Sequence, residues 1–132
     1  MKPLIQLANT TEFSVAAGNT IPLGGIVHRV GNCLSNTMSG VYIASPGYYL
    51  VDFNTSFTGT AGDLIVNIKQ NGNTIAGATA KHTVVADRFY NNSIPTVAKV
   101  YCCAGTVLSV EVDSRSTSTP TFENVALRIV KD

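Results

Sequence analysis

Gly47-Tyr48-Tyr49-Leu50-Val51-Asp52-Phe53-Asn54-Thr55-Ser56-Phe57 is the stretch whose reading decides the fold. Side chains alternate across an extended strand, so Tyr49, Val51, Phe53, Thr55 and Phe57 share one face. Tyr48, Leu50, Asp52, Asn54 and Ser56 share the other. The first face is large and apolar and belongs in a core. The second begins apolar and turns polar, which suits a surface covered at one end and solvated at the other. A strand with this pattern belongs in the interior of a sheet.

The rest of the chain repeats the theme in shorter pieces. No segment holds helical periodicity over a useful length, and the apolar runs are short, β-branched and separated by turn residues. Leu4 to Ala8 and Glu12 to Ala16 read as first strands, followed by Thr20 to Leu23, Ile26 to Val30 and Met38 to Ala44. After the central strand, Leu64, Val66 and Ile68 alternate with Ile65, Asn67 and Lys69. Asn71-Gly72 then marks a tight hairpin, because both central residues of a type I′ turn need positive φ. Thr74 to Thr79 returns along the preceding strand. Thr83 to Tyr90, Thr96 to Cys103, Val107 to Asp113 and Phe122 to Val130 complete the set. Asn91-Asn92-Ser93 reads as a strand-closing turn, and Ser114 to Pro120 as an exposed loop. Some ten short strands predict an all-β, two-sheet antiparallel jelly-roll sandwich. We expect one domain over residues 1–132, with 1–19 an N-terminal strand or arm and 20–132 the jelly-roll core.

Composition narrows the function. Of 132 residues, 45% are hydrophobic and only 13% charged, which is low for a small soluble domain. Either Ser, Thr, Asn and Gly carry the surface, or part of it is covered by other subunits. The formal net charge is +1 and no Lys/Arg cluster occurs, so phosphate-backbone binding to nucleic acid has no basis. No apolar run reaches membrane-spanning length. The first eight residues lack the apolar segment and cleavage site of a secretory signal, so synthesis in a cytosol is expected. Cys33, Cys102 and Cys103 are then expected to be reduced thiols.

Candidate chemistry is sparse. His28 and His82 lie far apart, without ligand-spaced cysteines or carboxylates, and a zinc site needs four converging donors. Serines are plentiful, but no strained G-x-S-x-G turn presents one as a nucleophile. Asp63 and Asp113 sit at strand ends, where isolated aspartates usually cap turns. No catalytic residue, metal or cofactor is expected. Phe89, Tyr90, Asn91 and Asn92, together with Ser114 to Thr119, are the aromatic and polar loop residues that could contact a glycan or receptor.

Several spacings resemble one family. Gly40-Val41-Tyr42-Ile43 followed by Pro46 to Phe53 resembles a short strand preceding a Gly- and aromatic-rich one. Lys69-Gln70-Asn71-Gly72-Asn73-Thr74-Ile75 resembles the family's hairpin, Ala104 to Val110 its penultimate strand and Phe122 to Val130 its closing strand. Together these resemble the tumour necrosis factor-like and complement-head-like trimeric jelly rolls, especially the compact forms of phage virions and bacterial surface fibres. Thr106 stands where that family often has Asp, which weakens any transfer of ion-binding residues.

The resemblance implies a homotrimer in which the inner sheet packs around a threefold axis. Tyr48, Leu50, Asp52, Lys99, Tyr101 and Arg128 would then lie between subunits, with Asp52, Lys99 and Arg128 forming one charge cluster. It implies a non-enzymatic structural and attachment module on a phage particle, such as a head fibre, decoration or tail-tip protein. Such a module would be made in the host bacterial cytoplasm and assembled on the virion surface. Its expected partners are its own copies, other virion proteins and a host cell-surface glycan. The alternative is a lectin-like trimeric module of a bacterial surface or spore coat.

Overall fold

The computed structural model describes residues 2–38, 40–101 and 105–132, so Cys102 and Cys103 lie outside the described residues. Eleven strands run in chain order: β1 Leu4–Asn9, β2 Phe13–Ser14, β3 Gly25–Val30, β4 Leu34–Asn36, β5 Val41–Ile43, β6 Gly47–Gly59, β7 Gly62–Gln70, β8 Asn73–Val84, β9 Tyr90–Val100, β10 Thr106–Val112 and β11 Pro120–Lys131. One antiparallel sheet has the order β3-β1-β11-β6-β9, with β2 continuing the track of β1 beside β11. The other has the order β4-β5-β10-β7-β8. This is the two-sheet antiparallel jelly roll that the strand pattern predicts.

The central strand behaves as its alternation requires. Tyr49, Val51, Phe53, Thr55 and Phe57 are buried, while Tyr48, Leu50 and Asn54 are exposed and Asp52 and Ser56 half-buried. β6 is flanked by β11 and β9, so its backbone groups are paired on both sides. Phe122, Leu127 and Ile129 of β11 join it, and Leu64, Val66, Ile68, Leu108 and Val110 face them from the second sheet. Thr55 is the polar member of the buried row, and its hydroxyl donates to the Asn124 carbonyl over 2.8 Å. That bond meets the requirement for a buried hydroxyl to be partnered.

Asn71 and Gly72 form the expected hairpin turn, with φ of 52° and 83°. β8 is much longer than the expected return strand. Between the pairs Asn67–Thr79 and Lys69–Thr74 it carries extra residues, and Gly77 takes up the resulting bulge at φ 83°. β8 therefore runs on to Val84, and residues 85–89 turn the chain where the sequence reads as a strand. Asp87 sits in the left-handed region at φ 66° in that turn, a conformation an aspartate tolerates better than most residues. The expected turn at Asn91-Asn92-Ser93 is instead extended. Tyr90, Asn91 and Asn92 pair with Phe57, Ser56 and Thr55, because the 13-residue β6 offers backbone partners along its whole length.

The polar stretch 114–119 is less exposed than its composition suggests. It continues the track of β10 along the start of β7, with Ser116 and Ser118 buried. The Ile65 amide donates to Ser116 Oγ, and the amides of Thr117 and Ser118 both donate to the Asp63 carbonyl. Asp113 opens this segment, and its carboxylate accepts from the Arg115 amide and guanidinium and from Asn67 Nδ2. These donors, the Arg115 side chain first, hold the Asp113 carboxyl well below the usual carboxylate range.

Candidate functional site

Strand register builds the outward face of the β3-β1-β11-β6-β9 sheet row by row. One row crosses all five strands as Val30, Leu4, Val130, Leu50 and Val97. Leu50 is 46% exposed and Val97 51%. The next row reads His28, Gln6, Arg128, Asp52 and Pro95. Beyond it come Ala8, Ala126, Asn54 and Ser93, then Asn124, Ser56 and Asn91. Tyr48 and Lys99 pair on the other side of the apolar row, 52% of Tyr48 being exposed. The face thus passes from apolar, through one ion pair, to amide- and hydroxyl-rich. A contiguous apolar band on a sheet face is unlike the single exposed aliphatic residues of any surface.

The register joins two of the three expected charges and separates the third. Arg128 donates to Asp52 Oδ2 over 2.6 Å. Lys99 does not join them, which corrects the expected cluster. The β9 partner of Asp52 is Pro95, four residues away, or roughly 13 Å along the strand. The Lys99 ammonium lies 4.9 Å from the Tyr101 ring centroid and 5.5 Å from that of Tyr48. A cation held between two aromatic rings is attracted to their faces. The six expected interface residues therefore form two groups, Asp52–Arg128 and Tyr48–Lys99–Tyr101, with Leu50 between them.

The expected ligand residues also divide. Phe89 is 70% exposed in the turn before β9. Tyr90 is half-buried, stacks on Phe57 at 5.6 Å and 21°, and accepts the Val85 amide on its hydroxyl over 2.9 Å. It holds the turn rather than offering a surface. His82 packs edge-on against the same Phe57 ring at 5.5 Å. Asn91 is exposed and accepts from Ser56 Oγ over 2.7 Å. Asn92 lies on the opposite side of the strand, with its Nδ2 buried and unpartnered.

Two features were not read from the sequence. Val30, Leu4, Val130 and Val97 extend the apolar band, and only the cross-strand register brings them into line. A cleft of about 360 Å³ also opens beside Phe89, lined by Thr58, Gly59, Thr60, Asp87, Thr119 and Thr121. Its threonines lie more than twenty residues from Phe89, so no local motif marks it. Among the described residues, no three His, Cys, Asp or Glu side chains converge as a metal site would require.

The fold has solved counterparts. The globular domain of zebrafish complement 1qA superposes with a TM-score of 0.68 at 11% identity, covering 98% of this chain and 95% of that one. Eiger TNF from S. frugiperda gives 0.68 at 13% identity, covering 100% and 92%. The PRD1 vertex protein P5, a phage protein, gives 0.63 at 15% identity, covering 98% and 96%. No family model and no curated protein matches the chain. The chain has the jelly-roll fold of the tumour necrosis factor and complement 1q domains, a fold that a phage vertex protein shares.

Proposed function

We propose that this protein is a non-enzymatic structural and attachment module of a phage virion, assembled as a homotrimer through the outward face of the β3-β1-β11-β6-β9 sheet. The observation that carries the reading is the five-strand apolar row that runs through Val130 and Leu50. Each apolar Å² removed from water contributes roughly 25 cal/mol, against an association cost of about 4–15 kcal/mol. A contact of ordinary size buries about 800 Å² per partner. A ring gives every subunit two such contacts, roughly a quarter of the 6705 Å² the single chain exposes. The low charge content of the chain fits a surface covered to that extent.

A virion position is supported by the likeness in fold to the PRD1 vertex protein. Such a module is made in the host bacterial cytoplasm and mounted on the particle with other virion proteins. Its readers of the host surface are the turns at one end of the sandwich. The test is a particle lacking this chain. Slower adsorption to host cells, restored by adding the gene back, is expected; unchanged adsorption would reduce the protein to a decoration.

A further inference from the structure

We propose that the cleft beside Phe89 is a subsite for a neutral or amino hexopyranose, the terminal sugar of a surface glycan. The proposal deepens the attachment reading above and rests on it for its biological setting. The cleft lies at the end of the sandwich opposite both chain termini. Val130 and Lys131 pair with Leu50 and Tyr49, and the Asp132 amide donates to the Tyr48 carbonyl, which places that terminus at the Tyr48 end. Leu4 pairs with Val130 and puts the N-terminal strand's start there too. Thr58 at the end of β6, Thr60 in the β6–β7 connection, Thr119 in the β10–β11 connection and Asp87 in the β8–β9 connection come from the other end.

The groups in the cleft match the two surfaces of a pyranose. Phe89, 70% exposed, offers a flat apolar ring to the C–H face of a sugar. Tyr90 beside it ties the turn down by stacking on Phe57 and accepting the Val85 amide, so the ring is presented on a fixed support. Asp87 makes no hydrogen bond or ion pair with any described residue, leaving its carboxylate free to accept from two vicinal hydroxyls. Charge-assisted bonds of that kind are the stronger ones. The hydroxyls of Thr58 and Thr119 are unpartnered among the described residues. Thr60 Oγ accepts from the Thr119 amide, which leaves its own proton to donate. Phe89 is the one aromatic surface of the cleft, and the threonines and Asp87 around it supply the polar groups that would fix a sugar's orientation, in a cleft of the size small ligands occupy.

The same groups set the specificity. The Asp87 carboxylate repels an anionic sugar such as a sialic or uronic acid and favours a neutral or protonated amino sugar. One carboxylate is too little for a calcium-bridged sugar, since that ion takes six or more oxygen ligands. A single subsite of this size is weak, and repetition on a trimer and on a particle raises its effective strength.

The test is saturation-transfer NMR on the purified protein with methyl hexopyranosides, N-acetylglucosamine oligomers and sialyllactose, together with a glycan array. The expected result is transfer from a neutral or amino sugar, weakened at least about tenfold by Phe89→Ala and reduced by both Asp87→Asn and Thr58→Val. Circular dichroism and sedimentation of the three variants are expected to match the parent, which separates loss of the subsite from loss of the fold. No sugar binding by the parent protein, binding indifferent to all three substitutions, preference for sialyllactose, or capture of peptides alone would overturn the proposal. Normal adsorption by particles lacking the chain would overturn attachment and leave sugar binding standing, so the two failures are distinguishable.

Discussion

Arg128 on β11 and Asp52 on β6 face one another across the middle of an otherwise uncharged stretch of sheet, with guanidinium and carboxylate 2.6 Å apart. The Arg128 side chain is 56% exposed and that of Asp52 29%. In a single chain the pair is therefore a surface ion pair, worth about 0–1 kcal/mol. Covered by a neighbouring subunit, the same pair would leave an uncompensated charge if broken, at about 3–5 kcal/mol.

Asp52→Ala is accordingly expected to lower the melting temperature by only a degree or two in dilute, dissociated protein, and by several times more where the parent is associated. The measurement is melting temperature against protein concentration for parent and variant. Equal shifts at every concentration would mean that no partner covers the pair.

Leu50→Arg is expected to yield a folded monomer. The substitution sets a charge within the apolar row, between Val130 and Val97, without touching the buried face of β6. The check is an unchanged far-ultraviolet dichroism spectrum together with a smaller species on a gel-filtration column. A variant that runs with the parent would place the interface elsewhere.

Phe57→Ala is expected to destabilise the chain by about 3–5 kcal/mol, as loss of a fully buried ring does. Phe57 packs against Phe122, Tyr90 and His82, so its removal also loosens the support of the Phe89 turn. Urea denaturation measures the loss, and a change under about 1 kcal/mol would contradict the packing described.

Acid is expected to weaken the segment held by Asp113. Its folded carboxyl is pushed below the unfolded value, chiefly by the Arg115 side chain. The stability it contributes is thus complete above the unfolded value, near pH 4, and is lost as pH falls toward the lower folded value. Asp113→Asn removes that titration. The variant should be less stable at neutral pH and should lose less between pH 5 and pH 2, read as urea midpoints across that range. Parallel curves for parent and variant would exclude a linked carboxylate.

The jelly roll was legible because its signals are local. Alternation in residues 47–57 fixed which face of β6 is buried, and Asn71-Gly72 fixed one hairpin. The β8–β9 boundary was not legible. Val84 and Val85 read as continuous strand, and the turn is made by Asp87 in a left-handed conformation that many sequences avoid. Asn91-Asn92-Ser93 carry turn composition, yet the length of β6 draws them into the sheet. For the candidate site, Tyr48 and Leu50 could be placed on the outward face from alternation alone. The partnership of Asp52 with Arg128 but not with Lys99 depends on cross-strand register, which no single strand encodes. The Phe89 cleft depends on three separate connections meeting at one end of the sandwich, a tertiary fact.

Sedimentation equilibrium of the purified chain at micromolar concentration tests the central claim most directly, because everything proposed for the outward face requires it to be covered by copies of itself. The account predicts a single species of three times the 13.9 kDa chain mass, shifted to the monomer by Leu50→Arg. A parent protein that sediments as a 13.9 kDa monomer at that concentration would contradict it.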